Sequence, residues 1–170
     1  MHPERIALLQ GMPIFGAISD TALEFLVWRA QAVIVRAGDY FFQEGDDATG
    51  MFVLESGRVR VSRSRLGQEI LLHEFGAGDC FGEMALMDLH PRSASVRALD
   101  TCRAMQIRPG DLLELFELDC VQFALIQMNM GREVCRRLRV ADDMLFDMDP
   151  GKALQTGVSP PIPPSADAGS

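Results

Sequence analysis

Phe81-Gly82-Glu83-Met84-Ala85-Leu86-Met87, the spacer Asp88-Leu89-His90, and then Pro91-Arg92-Ser93-Ala94-Ser95-Val96-Arg97-Ala98 form the stretch on which the reading of this chain turns. It leaves a strand-like run, makes what reads as one helical turn, crosses a proline-led loop and ends in a strand. The first N–H groups of a helix lack partners within it and the dipole there favours negative charge, so a helical turn set among strands reads as an anion site. Gly82 carries no Cβ and lets backbone come close to a ligand. Pro91 fixes the direction of the chain just ahead of Arg92. A guanidinium can grip two phosphate oxygens in a planar fork, which a lysine cannot do. Ser93 adds a hydroxyl donor. Glu83, acceptor-only when ionised, suits a pair of hydroxyls rather than a phosphate. Together these groups describe a pocket for a phosphorylated sugar. A solvated ion pair between Glu83 and Arg92 is the plainer alternative, but it leaves the surrounding glycine, alanines and proline without a purpose.

On either side of this stretch, residues 31 to 108 consist of short apolar or alternating runs punctuated by glycine: Ala32 to Val35, Tyr40 to Gln43, Gly50 to Leu54, Arg58 to Ser62, Glu69 to His73 and Ser95 to Leu99. Arg58-Val59-Arg60-Val61 alternates with period two, the pattern of a half-buried strand. Strands at this spacing with turn signals between them predict an antiparallel β-barrel or jelly roll. Helical patterns flank it. Ser19-Asp20 is an N-cap signal ahead of Ala22, Leu23, Phe25, Leu26 and Val27, and Ile6, Leu8 and Leu9 suggest a shorter helix before it. Pro109 fits a first helical turn, and a long helix follows from about Asp119 to Phe146, with Val134, Leu138, Ala141 and Leu145 on one apolar stripe. The fold class is therefore α+β: helices over 1–30, a β-barrel or jelly roll over 31–108, and C-terminal helices over 109–146. Residues 147–170 hold prolines at 150, 160, 161, 163 and 164 and almost no large apolar residues, the composition of a disordered Pro-rich tail.

Composition narrows the function. The formal net charge is −8, with a single lysine, Lys152, which disfavours nucleic-acid binding over the surface at large. No apolar run approaches the roughly 18 residues that cross a bilayer, and the first residues do not read as a secretory signal, so the expectation is a cytoplasmic protein. Cys80, Cys102, Cys120 and Cys135 show no CxxC spacing, and His2, His73 and His90 form neither His-x-His nor HExxH, so no metal site is expected. The cysteines read as small buried hydrophobes, and Met84, Met87, Met128, Met130 and Met144 as core filler. Arg132, Arg136 and Arg139 read as a solvated helical stripe.

The stretch quoted at the outset resembles the phosphate-binding cassette of the cyclic nucleotide-binding domain family. The matching pattern is Phe-Gly-Glu-x-Ala-Leu, a short spacer, and Pro-Arg-x-Ala-x-Val-x-Ala, with every fixed position filled. Gly38-Asp39, Gln43-Glu44-Gly45, Met51 to Leu54 with Gly57, and Gly78-Asp79 extend the resemblance over about residues 15–146. It implies that Arg92 pairs with the cyclic phosphate, with the backbone N–H groups of Met84, Ala85 and Ser93 and the Ser93 hydroxyl completing the cradle. It implies that Glu83, beside the Gly82 backbone, binds the ribose 2′-hydroxyl. It sets the base against Val61, Leu72 and His73, with the C-terminal helix closing over it near Ala141 and Asp142, where bacterial catabolite activators carry two hydroxyl residues instead.

The function expected is a freestanding receptor for a cyclic nucleotide, cAMP in preference to cGMP, that moves its C-terminal helix on binding and so regulates a protein partner. No cofactor is expected beyond that ligand. The alternatives are a cGMP-selective receptor of the same fold, or a scaffold or sensor of another ligand. Glu83 and Arg92 have no general base, nucleophile or metal beside them in the sequence pattern, so no enzyme is expected. Only 24 residues follow Phe146 and they contain no recognition helix, so no DNA binding by this chain is expected. The apolar stripe of the long helix could also serve a homodimer.

Overall fold

The computed structural model describes residues 3–88 and 90–148. Two short helices open the chain, α1 (Pro3–Gln10) and α2 (Asp20–Arg29), with a 3-10 turn at Pro13–Phe15 between them. Ser19 caps α2 as its sequence predicts: its hydroxyl accepts from Ala22 N–H at 3.3 Å. Eight strands follow: β1 (Gln31–Val35), β2 (Tyr40–Phe42), β3 (Met51–Ser56), β4 (Val59–Arg65), β5 (Gln68–Phe75), β6 (Cys80–Phe81), β7 (Ser95–Ala98) and β8 (Cys102–Ile107). Helix α3 (Met84–Asp88) interrupts them between β6 and β7. Helices α4 (Pro109–Leu118) and α5 (Cys120–Met148) close the order.

The strands form two four-stranded antiparallel sheets, β1-β8-β3-β6 and β2-β7-β4-β5. Strand β3 reveals the layering. It is buried on both faces, because Met51 and Val53 turn toward the helices while Phe52 and Leu54 turn toward the second sheet. One core therefore joins α1, α2, α4 and the first part of α5 to the outer face of the first sheet, through Leu23, Leu26, Leu112, Leu115, Ile126 and Met130. The other fills the space between the sheets. Asn129 is the polar tie in the first core: its Nδ2 donates to Ile14 O at 3.1 Å and Gly16 O at 2.9 Å. Asn129→Ala is expected to lower stability by about 2 kcal/mol, measured by urea denaturation, because it strands two carbonyls that are hard to solvate.

Strand boundaries differ from the sequence pattern where alternation of hydrophobicity stops but hydrogen bonding continues. The β4–β5 hairpin extends to Arg65 and Gln68, beyond the last apolar residues of either run, and turns at Leu66 (φ +53°) and Gly67 (φ +78°). β6 and β8 form over the strand-like apolar runs around Cys80 and Cys102. Asp119 caps α5 by accepting from the N–H groups of Val121 and Gln122, both at 3.1 Å. That helix reaches Met148, two residues past Phe146. Residues 149–170, with the Pro-rich tail, lie outside the described residues.

Two expectations about burial are corrected. Cys80 and Cys102 are buried, but Cys120 and Cys135 are exposed on α5. Met130 is core, whereas Met84, Met87, Met128 and Met144 are largely exposed. Both errors have one cause: a helical residue's face is set by what packs on the helix, and residue type alone does not reveal it. The chain divides into two compact units, residues 1–134 and 135–170. Within the second, Cys135–Met148 is the end of α5, with Leu138, Ala141 and Leu145 exposed. Among the described residues no helix is long and apolar enough to cross a membrane.

Candidate ligand site

The floor of the site is aromatic. Phe41 and Phe42 of β2, Phe52 of β3, Phe75 of β5 and Phe81 of β6 meet between the sheets, with Phe52 and Phe81 stacked at 5.5 Å and Phe41 edge-on to both. From Phe81 the chain enters Gly82 at φ +79°, a conformation that lets it turn directly into the buried Glu83 and then α3. A Cβ at Gly82 would sit 2.7 Å from Arg92 Nη1, so a side chain there would displace the guanidinium as well as strain the dihedral.

Arg92 is buried at 4% exposure, and its guanidinium carbon lies 4.0 Å from the Phe42 ring centroid. Nη1 donates to Gly82 O at 3.1 Å and Nη2 to Gly50 O at 2.6 Å. Nε is buried without a hydrogen-bond partner. The other such nitrogen among the described residues, Arg29 Nε, has a carboxylate oxygen of Asp111 at 3.6 Å. Burial pushes the Arg92 pKa below the ordinary guanidinium value, and the charges of Asp46 and Glu83 pull it back up. A buried cation is costly unless paired, and here the attraction comes from an aromatic face, two carbonyl dipoles and two carboxylates. The sequence pattern expects the fork to face a phosphate. In the structure two of its nitrogens hold main-chain carbonyls, which fixes the side chain in place.

The main chain of Arg92 is held as firmly. Its carbonyl accepts from Gly45 N–H at 2.8 Å, and its N–H donates to Asp46 O at 2.9 Å. Ser93, next along, is exposed. Met84 and Ala85 open α3, where the first N–H groups have no acceptor within the helix. The structure thus brings Gly82, Glu83, Met84, Ala85, Arg92 and Ser93 onto one continuous loop between β6 and β7.

The residues expected to meet a base are distributed differently. Val61 is half-buried against the inter-sheet core and pairs across β4 with His73 on one side and Val96 on the other. His73 is exposed, its ring 4.5 Å from that of Phe75. Val61 faces His73 while Ser62 faces Leu71, so the exposed Leu72 is the extra residue of a β-bulge. Ala141 and Asp142 are exposed residues of the second unit. Sequence reasoning placed none of Phe42, Gly50, Glu44 and Arg63 at the site. The Phe41-Phe42 pair in a short run was the one available signal, since adjacent large apolar residues in a strand imply burial on both faces.

A buried, incompletely bonded arginine and a buried carboxylate share one connection that interrupts two antiparallel sheets, an arrangement able to hold a small polar ligand. The chain matches the model of the cyclic nucleotide-binding domain over residues 32–119, and it belongs to that family. It is 31% identical over 135 residues to the "Cyclic AMP receptor protein" of Thermus thermophilus, covering 79% of this chain and 61% of that one. It is 33% identical over 92 residues to a "cAMP-dependent protein kinase regulatory subunit" of Emericella nidulans, covering 54% and 22%. Among solved structures it resembles the Thermus thermophilus catabolite activator protein, with TM-score 0.71 and 30% identity over 81% of this chain and 63% of that chain. The chain therefore spans less than two thirds of the length of these relatives.

Proposed function

We propose that this chain is a cyclic nucleotide receptor module with a preference for cAMP, which signals by a change in its C-terminal helix to a protein partner. The observation that carries the reading is Arg92: a buried guanidinium, positioned by its main chain and by two carbonyls, whose Nε has no acceptor among the described residues. A cyclic phosphate supplies an acceptor and a negative charge together, and a charge-assisted bond to it offsets what burial costs. The exposed Ser93 hydroxyl and the first N–H groups of α3 are the further donors. Glu83 accepts from the ribose 2′-hydroxyl. Val61, with the exposed His73 ring across from it on β5, is the strand surface assigned to the base.

The preference for cAMP is supported by the names of the relatives, and regulation of a partner by their being a receptor and a regulatory subunit. The names of the relatives, a receptor and a regulatory subunit, support reading the module as one that binds its ligand. Isothermal titration of nucleotide-free protein with cAMP and then cGMP tests the proposal. Saturable binding at about micromolar Kd or tighter is expected, with cAMP the tighter of the two. Absence of heat with both contradicts the function, and tighter binding of cGMP contradicts the preference.

A further inference from the structure

Two strands, β4 and β7, meet at Glu44, in the loop between β2 and β3. Its N–H donates to Ser95 Oγ at 2.9 Å, at the start of β7. Its Oε1 accepts from Arg63 Nε at 3.2 Å and Nη2 at 3.0 Å, and its Oε2 accepts from the backbone N–H of Ser64 at 3.2 Å, both on β4. The next two residues of the same loop, Gly45 and Asp46, make the two main-chain bonds that hold Arg92. The Asp46 carboxylate closes the loop on itself, accepting from Gln43 N–H at 2.7 Å. Glu44 is thus one residue from the bonds that place Arg92 and is bonded directly to the strand that carries Val61. Val61 and Arg63 are two apart on β4 and share a face. The Ser64 N–H first, and Arg63 second, hold the Glu44 carboxyl below the usual carboxylate range, so it is ionised at neutral pH.

We infer that Glu44 is a positioning residue that ties the phosphate end of the pocket to its base end, holding the Arg92 loop and the β4–β5 hairpin in one arrangement. The inference rests on the cyclic nucleotide reading above. An exposed ion pair contributes little to stability in isolation. Its effect here lies in alignment: a ligand that spans both ends binds more weakly if binding must first bring them into register. A ligand that touches only the phosphate end does not incur that loss.

Glu44→Gln and Arg63→Met in the full chain test this against two probes, cAMP and base-free ribose 3′,5′-cyclic phosphate, the latter measured by competition if its direct signal is weak. Both variants are expected to weaken cAMP binding about fivefold and to leave the base-free probe within about twofold. Equal weakening toward both probes, or none toward cAMP, overturns the inference. Amide hydrogen exchange on the ligand-free chain is the second readout. In Glu44→Gln, exchange is expected to quicken at Ser64 and also at Gly45 and Arg92, and unchanged protection at Gly45 and Arg92 overturns the tie whatever the titrations give. If the unaltered chain binds neither probe, the cyclic nucleotide reading fails, and the exchange measurement alone decides the tie.

Discussion

Arg92→Ala is expected to weaken cyclic nucleotide binding by at least about 2 kcal/mol, roughly thirtyfold, read by isothermal titration on protein whose fold is checked by circular dichroism. The size follows from what the side chain does. It is buried, fixed over Phe42, and bonded through Nη1 and Nη2 to Gly82 and Gly50, so it meets a phosphate with little further loss of freedom. Alanine removes both the charge and the directed donors. Arg92→Lys separates the two contributions. A lysine keeps the charge but cannot reach Gly82 and Gly50 with a planar fork while presenting a further N–H to a phosphate. It should recover only a small part of the lost affinity. Full affinity in either variant would place the phosphate elsewhere on the molecule.

The largest expected effect on stability is at Gly50. Its φ is +145°, and a Cβ there would lie 2.4 Å from Ile107 O and 3.1 Å from Arg108 Cα. Those atoms belong to the end of β8 and the entry into α4, and they cannot retreat without breaking the β3–β8 ladder at Met51 and Ile107. Gly50→Ala should therefore cost about 3 kcal/mol of stability, measured by denaturant unfolding. Gly67 provides the comparison. It too has positive φ, at +78°, but nothing lies within 4 Å of its would-be Cβ, so Gly67→Ala should cost about 1 kcal/mol from backbone strain alone. Equal losses at the two positions would mean that the Gly50 contact yields easily. The Gly50 substitution should also weaken ligand binding in whatever fraction remains folded, since its carbonyl is the acceptor that holds Arg92 Nη2.

The parts of this site that could be read from the sequence are the local ones. Gly82 through Arg97 is a contiguous stretch whose turn, helical start and strand each leave a mark on residue type, and the structure sets them on the connection from β6 into β7. The N-cap at Ser19 and the first-turn Pro109 were legible for the same reason, because the physics acts between neighbours in the chain. The Glu44–Arg63 tie was not, since its partners are 19 residues apart and their types are those of any solvated surface. Nor was the hold of Gly50 on Arg92, 42 residues away through a main-chain carbonyl that no side chain advertises. The two exposed cysteines and the exposed methionines on α5 were misplaced because the packing partners of a helix, which residue type does not reveal, decide its faces. Asp111 was not legible either: it accepts from the Arg108 N–H at 2.9 Å, and only the fold shows Arg29 arriving from α2 beside the buried Asp111 carboxylate.

The most direct test of the central claim is the NMR signal of the Arg92 side-chain Nε–H, assigned by its loss in Arg92→Lys and followed as cAMP is added to the full chain. This nitrogen is the buried group of the site without a hydrogen-bond partner among the described residues. The account predicts a large downfield shift of its proton, saturating with the binding isotherm, as it gains a charged phosphate acceptor. A signal that stays fixed while cAMP saturates the protein would contradict the account, because the phosphate would then be held by other groups.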